Sequence, residues 1–270
     1  MKRVIAIFSA AVMLFASTAC DKKEKEREIT LSENEAYTQY VTAVNALRDA
    51  GSFGGELSFY VTSDVMGEDY DVEAQIGIKH VLGEGDHLQA EIDTTGGPEN
   101  FKAYYKDGEF YYVDYQEDGI GNFKFAMPGA DLLSMTNSSL VTDALFSEED
   151  IIELEAIEDA GGIAVRFVVK ESGIQEYLRA YANYTMTSGV NDGHADTFDY
   201  VFDDVVVMVR LGKNGELINV QLLFLLSIIH YDEEMVSYIE IGMHVTECGG
   251  VVIDFPEDME SFTDFDEPIA

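Results

Sequence analysis

Catalysis needs a nucleophile, a proton carrier or a metal held at a set spacing, and the sequence offers few such sets. It has no Gly-x-Ser-x-Gly elbow, no His-Glu-x-x-His pair, no phosphate-cradling glycine loop and no paired cysteines for zinc. Hydrolase, zinc-protease, nucleotide-binding and redox chemistries lack their minimal parts, so the expectation is a binding protein without a cofactor. A triad built from distant residues leaves no local mark, which keeps an unrecognised enzyme open. Of the five histidines, His80 and His230 fall on apolar strand faces. Without spaced partners they read as core or cavity histidines rather than metal ligands. Asp192, Asp196, Asp199, Asp203 and Asp204 crowd together, but the Asp-x-Asx-x-Asx-Gly frame of a calcium loop and its closing Glu are missing. A solvated acidic loop is the favoured reading. Cys248 precedes Gly249-Gly250 at the end of a strand pattern, where a buried, inert thiol is expected. With two cysteines in all, no disulfide scaffold is available, and the core and strand pairing must hold the fold.

Cys20 is the cysteine placed for modification. Met1-Lys2-Arg3 is a basic start, Val4 to Ala16 is an apolar run, and Ser17-Thr18-Ala19 supplies small residues before it. The run falls short of the ~20 residues that span a bilayer as a helix, so an export signal is expected over a membrane anchor. These residues resemble the lipobox of bacterial lipoproteins, in which the Cys is lipidated and becomes the first residue of the mature chain. Ser17-x-Ala19 also suits ordinary signal peptidase, and that alternative stays open. The charged stretch from Asp21 to Glu28 fits a solvated tether. The expected division is therefore 1–19 signal peptide, 20–30 lipidated Cys and tether, 31–256 one β-rich domain and 257–270 an acidic tail. The expected location is outside the cytoplasm, at the cell membrane, held by the N-terminal lipid.

The formal charge is −36, and loss of the leader with Lys2 and Arg3 takes it to −38. Such a surface repels phosphate backbones and anionic headgroups, which excludes nucleic acid as a partner and leaves membrane attachment to the lipid. A protein partner is not identified by the sequence. With 47% hydrophobic residues, 16 Phe, 15 Tyr and no Trp, the chain is globular and biased to strands.

The elements that must position any site follow from periodicity. Ser32 and Glu35 form a capping box, Leu31 is placed to staple onto Ala36, and Tyr37, Tyr40, Val41, Val44 and Leu47 recur at helical spacing until Gly51. A second helix is expected from Ser172, with Ser172-Gly173-Ile174-Gln175 as its capping box and Ile174, Tyr177, Leu178 and Tyr181 as its stripe. Most of the rest alternates. Phe53, Leu57, Phe59, Val61 and Val65 share one face, as do Tyr70, Val72, Ala74, Ile76, Ile78 and Leu82, and then Leu88, Ala90 and Ile92. Period two with one wet face predicts antiparallel strands. Lys106-Asp107-Gly108-Glu109 and Lys213-Asn214-Gly215-Glu216 are hairpin turns expected to be of type I′. Leu222 to Ile229 is apolar on both faces and predicts a central strand covered twice. Met127-Pro128-Gly129 opens a short helix carrying Leu132, Leu133, Thr136 and Leu140, and Met186 to Phe198 reads as a polar loop.

The fold expected is α+β: a strongly curved antiparallel β-sheet, a half-barrel, with helices packed on or plugging its concave face. Alternating aromatics and methionines on that face predict an apolar pocket. The candidate lining is Phe59, Ile76, Ile78, Tyr105 and Tyr112, continued by Phe125, Met135, Phe224, Leu226 and Ile228. Cross-strand packing alone would account for the same residues. In that case the chain is a structural or protein-interaction component of the cell envelope with a filled core.

Taken together, the Cys20 leader, the helix from Ser32, the Phe53 and Tyr70 strands, Ala103 to Tyr112, the helix after Ser172 and Val252-Ile253-Asp254-Phe255-Pro256 resemble the LolA and LppX type of bacterial lipoprotein and lipoprotein carrier. The likeness extends to the small Gram-positive lipoproteins similar to them. The resemblance is one of architecture over nearly the whole mature chain. It implies a curved half-barrel plugged by helices and a concave face that holds acyl chains. A chain fixed at Cys20 departs from the freely diffusing carriers of that type.

Overall fold

The computed structural model describes residues 27–65, 68–83, 88–95, 100–115, 121–187, 199–230 and 233–265. The leader, Cys20, Asp192 and Asp196 lie outside the described residues.

The strands are β1 (Arg27–Glu28), β2 (Ser52–Val65), β3 (Glu68–Val81), β4 (Gln89–Asp93), β5 (Phe101–Lys106), β6 (Glu109–Asp114) and β7 (Phe123–Ala126) in the first half. After two short helices come β8 (Ile151–Asp159), β9 (Gly162–Val169), β10 (Asp199–Gly212), β11 (Leu217–His230), β12 (Glu233–Cys248) and β13 (Thr263–Asp264). The helices are α1 (Glu33–Asp49), α2 (Gly129–Met135), α3 (Ser139–Thr142) and α4 (Glu171–Thr187). Among the described residues the strands form one open sheet in the order β1-β8-β9-β10-β11-β12-β2-β3-β4-β5-β6-β7-β13. Every pairing is antiparallel except that of β13 with β7.

The helices lie on one face. Ala36, Tyr40, Ala43, Val44 and Leu47 of α1 share a core with residues of β2, β3 and β8 through β12. Six strand spacings of about 4.8 Å would span roughly 29 Å if flat, far more than the ~10 Å breadth of a helix. Gathering strands from β8 to β3 around α1 and α4 therefore requires the sheet to curve about them. Aromatic rings pin α1 in place: Tyr40 stacks on Phe146 at 5.5 Å, and the Tyr37 hydroxyl donates to the Phe146 carbonyl at 2.9 Å.

The capping box of α1 forms as expected, with the Glu35 N–H donating to Ser32 Oγ at 3.2 Å and the Ser32 N–H to Glu35 at 3.0 Å. That of the second long helix does not. The helix α4 begins at Glu171, so Ser172 lies inside its first turn. A Cβ on Gly173 would sit 2.2 Å from the Asp150 carboxyl carbon, so this glycine admits a carboxylate from outside the helix at its positive end. Asp150 is held below its ordinary pKa first by the Ser147 side chain. The helix also runs to Thr187, taking Met186 from the predicted loop. Asp199, Asp203 and Asp204 belong to β10 and not to a loop.

The first predicted I′ turn is confirmed by Asp107 and Gly108 at φ 53° and 83°. In the second, only Gly215 has positive φ, at 82°. Its N–H donates to the Gly212 carbonyl at 3.0 Å, and a register shift follows at Leu211, so this hairpin closes through a glycine bulge.

Both ends of the described chain belong to the sheet. Arg27 and Glu28, placed by the sequence in a tether, pair with Glu158 and Ile157 at one edge. The C-terminal segment crosses the outer face of β5 and β6, with Phe255 6.0 Å from Tyr104 and Phe262 5.9 Å from Tyr111. It then adds β13 beside β7, so the acidic tail expected from 257 is docked through residue 265. Cys248 is exposed rather than buried. A bulge between Val245 and Glu247 breaks the alternation just before it, and Cys248 ends the strand.

Candidate functional site: an apolar seam on the inner face

All ten candidate lining residues reach the helix-covered side of the sheet, in two packed groups. Phe59, Ile78, Phe224, Leu226 and Ile228 belong to the core around α1 and α4. Tyr105, Tyr112, Phe125 and Met135 belong to a second group around Leu132 of α2, and Ile76 touches both. Five of the ten, Ile78, Tyr105, Phe224, Leu226 and Ile228, are buried to 8% exposure or less and are core. Phe59, Ile76, Tyr112, Phe125 and Met135 are only half-buried. They mark the seam between the groups.

The register extends that seam toward the far ends of β2 and β3. Leu57 faces Ile76, Phe59 faces Ala74 and Val61 faces Val72, all on the inner face. Exposure grows along this series: Leu57 is 5% exposed, Phe59 and Val61 are half-buried, and Val72 is 54% exposed. Tyr181 of α4 forms the opposite wall, 6.1 Å from Phe59 and 5.9 Å from Phe224 between ring centres. Between Val72 and Ile76 on this face stands the small side chain of Ala74. Nearby on the same face, Ser63 and the buried Ser237 share a hydrogen bond of 2.8 Å. The row from Leu57 to Val72 is lined by apolar side chains with the Ser63–Ser237 pair beside it, a character that suits a hydrophobic ligand.

Behind the seam, α2 and α3 are tied to the sheet through His80. Its Nε2 lies 2.8 Å from Ser138 Oγ, which in turn bonds Thr136 at 2.6 Å, while Nδ1 has no hydrogen-bond partner among the described residues. Its ring stacks on Phe53 at 5.2 Å. Burial lowers its pKa from 6.5 to about 3, so the imidazole is neutral. This is the core histidine expected from the sequence. The side chain of His230 lies outside the described residues.

A second concavity, of about 340 Å³, lies where Gly54 and Gly77 leave the sheet bare, and of the ten candidates it touches Ile78. It holds an ion-pair network: Lys79 lies 3.1 Å and Lys102 3.8 Å from Glu91, and Lys102 lies 2.7 Å from Asp93. Burial works against the Asp93 charge, but hydrogen bonds from Lys102 and Thr95 prevail and hold its pKa below the ordinary value. Both lysines are engaged, which makes this a self-satisfied cluster. Among the described residues no group of acids, histidines and cysteines is arranged to hold a metal ion.

Val61, Val72 and Tyr181 were absent from the lining expected from the sequence. Their alternation and helical spacing place them on the inner face, but how far the helices extend over the strands is not written in either period.

No family model matches the chain, and no curated protein matches it. Among solved structures, a DUF1329 family protein from Desulfovibrio piger is 9% identical, with 83% of this chain and 96% of that one covered at a TM-score of 0.28. An outer membrane lipoprotein-sorting protein domain from Vibrio parahaemolyticus is 8% identical, with 85% and 98% covered at a TM-score of 0.26. An acyl-CoA thioesterase II from Mycobacterium marinum is 11% identical at a TM-score of 0.14, with 83% and 98% covered. Such values assign neither a family nor an activity to this chain.

Proposed function

We propose that this chain is an exported, non-catalytic lipoprotein of the cell envelope, of the LolA and LppX type, which binds a lipid or other hydrophobic ligand along the seam. The leader ending in Cys20 supports export and anchoring. Among the described residues no helix is long and apolar enough to cross a membrane, and lipid on Cys20 supplies the attachment instead. Two or more acyl chains there hold the protein stably, whereas one binds only reversibly.

The observation that carries the binding reading is Val72, an apolar side chain on the inner face with 54% of its surface open, at the end of a graded row of half-buried apolar residues. Covering such a row with an acyl chain gains about 0.8 kcal/mol for each methylene removed from water. Native mass spectrometry after mild purification tests the proposal. A co-purified lipid, or uptake of a fluorescent fatty acid at one site per chain, is expected. A protein that stays empty and takes up no fatty acid sinks it.

The second reading, an envelope interaction protein with a filled core, draws on the deep burial of Ile78, Phe224 and Leu226. In-cell crosslinking that returns a constant protein neighbour and no lipid favours it.

A further inference from the structure

The opposite face of the sheet is also apolar where β10, β11 and β12 run side by side. Val205, Val207 and Val209 point into the core with Leu222, Phe224 and Leu226. Their alternates Val206, Met208 and Leu223 form a separate cluster on the outer side, with Val168 and Tyr238 packed against it. The register carries the row further. Leu225 faces Tyr238 across β11 and β12, and Ser227 stands between Val201 and Val236. Val201 and Val236 are 47% and 42% exposed.

This row is bordered by acid. Asp203 lies beside Leu225, Asp71 and Glu73 occupy the outer face of β3, and Glu153 and Glu155 that of β8. Arg166, on the neighbouring β9, lies 3.6 Å from Glu153 and 3.4 Å from Glu155, so its charge is already matched. Glu240, inside the row, receives a hydrogen bond from Gln221 at 2.9 Å. A second copy would bring the same acidic border against itself, in a chain of net charge −36, and is disfavoured.

We infer that the outer face of β10 to β12 is a docking surface for a protein partner that presents a cationic amphipathic segment, with apolar side chains against Val201, Leu225 and Val236 and basic ones against Asp203, Asp71 and Glu155. Apolar contact supplies affinity here, and the acidic border supplies orientation and speed of encounter.

The probe is a labelled amphipathic helix built of leucine and lysine, titrated against the purified protein by fluorescence anisotropy. A scrambled peptide of the same composition serves as its control. Saturable one-to-one binding that weakens with salt is expected. Val236→Asn should weaken it about threefold, as should Val201→Asn, because a little under half of each valine is left to be buried. Val252→Asn, at a 71% exposed valine away from the patch, should leave it unchanged. Glu155→Gln should reduce affinity at low salt and lose its effect at high salt. Circular dichroism checks that each variant is folded. Equal binding of the scrambled peptide, equal loss with Val252→Asn, or absence of binding overturns the inference. So does sedimentation showing a dimer that Val236→Asn dissociates, since that assigns the surface to a second copy.

Discussion

Val72 faces Val61 across β2 and β3, on the side of the sheet that buries Leu57 and Ile78, yet Val72 is 54% exposed. The inner face thus has a packed part and an open part, and substitutions should separate them. Phe224, 1% exposed, lies in the packed part, so Phe224→Ala should cost about 3–5 kcal/mol in urea unfolding. Phe59, half-buried beside Tyr181, should cost roughly half as much because its side chain is already partly in water. Equal losses at the two positions would mean that the seam is as tightly packed as the core.

His80 makes stability sensitive to acid. Its folded pKa of about 3 lies below the ordinary 6.5, so below that ordinary value the unfolded chain binds a proton that the folded chain refuses. The stability contributed by neutral His80 is complete above pH 6.5 and is lost as pH falls toward 3, by up to about 1.4 kcal/mol per pH unit. Unfolding curves of wild type and His80→Gln between neutral pH and pH 5 isolate this effect, because the carboxylates are common to both. The variant should lose less stability on acidification. Parallel losses would show that His80 does not titrate on unfolding.

The C-terminal segment acts as a clasp on the outer face and on the β7 edge. Phe262 is 6% exposed against Tyr111, and β13 occupies the free side of β7. Deleting residues 257–270 should cost about 2 kcal/mol, the worth of one buried aromatic side chain, and should speed amide exchange in residues 123–126. Unchanged exchange there would contradict the pairing.

How much of this the sequence disclosed depends on how local each cause is. Alternation in Phe53 to Val61 and Val72 to Ile78 assigns inner and outer faces correctly, because side-chain period two is a property of each strand by itself. The Ser32 and Glu35 box and the Asp107-Gly108 turn are likewise local chemistry. The start of α4 escaped because the carboxylate at its N-terminus comes from Asp150, more than twenty residues upstream in a different element. How firmly the acidic tail docks has no local cause in the sequence, because Phe255 and Phe262 act through Tyr104 and Tyr111, far earlier in the chain. The strand at Leu222 is apolar on both faces as its sequence implies, but helices and core both lie on its inner side, and on its outer side Leu223 is flanked only by Val206, Met208 and Tyr238 of the sheet itself. Where the seam opens depends on how far α2 and α4 reach across the sheet, a tertiary fact without a sequence period.

The central claim, that the open row ending at Val72 receives an apolar ligand, is tested most directly by titrating a fluorescent fatty acid against wild type and Val72→Glu, with Val236→Glu on the outer face as the equal-charge control. Val72 is exposed, so the substitution should change stability by no more than about 0.5 kcal/mol. We expect saturable uptake by wild type and by Val236→Glu, and affinity reduced by about tenfold or more in Val72→Glu, where a charge would meet the acyl chain. Identical affinities for Val72→Glu and wild type would contradict the account.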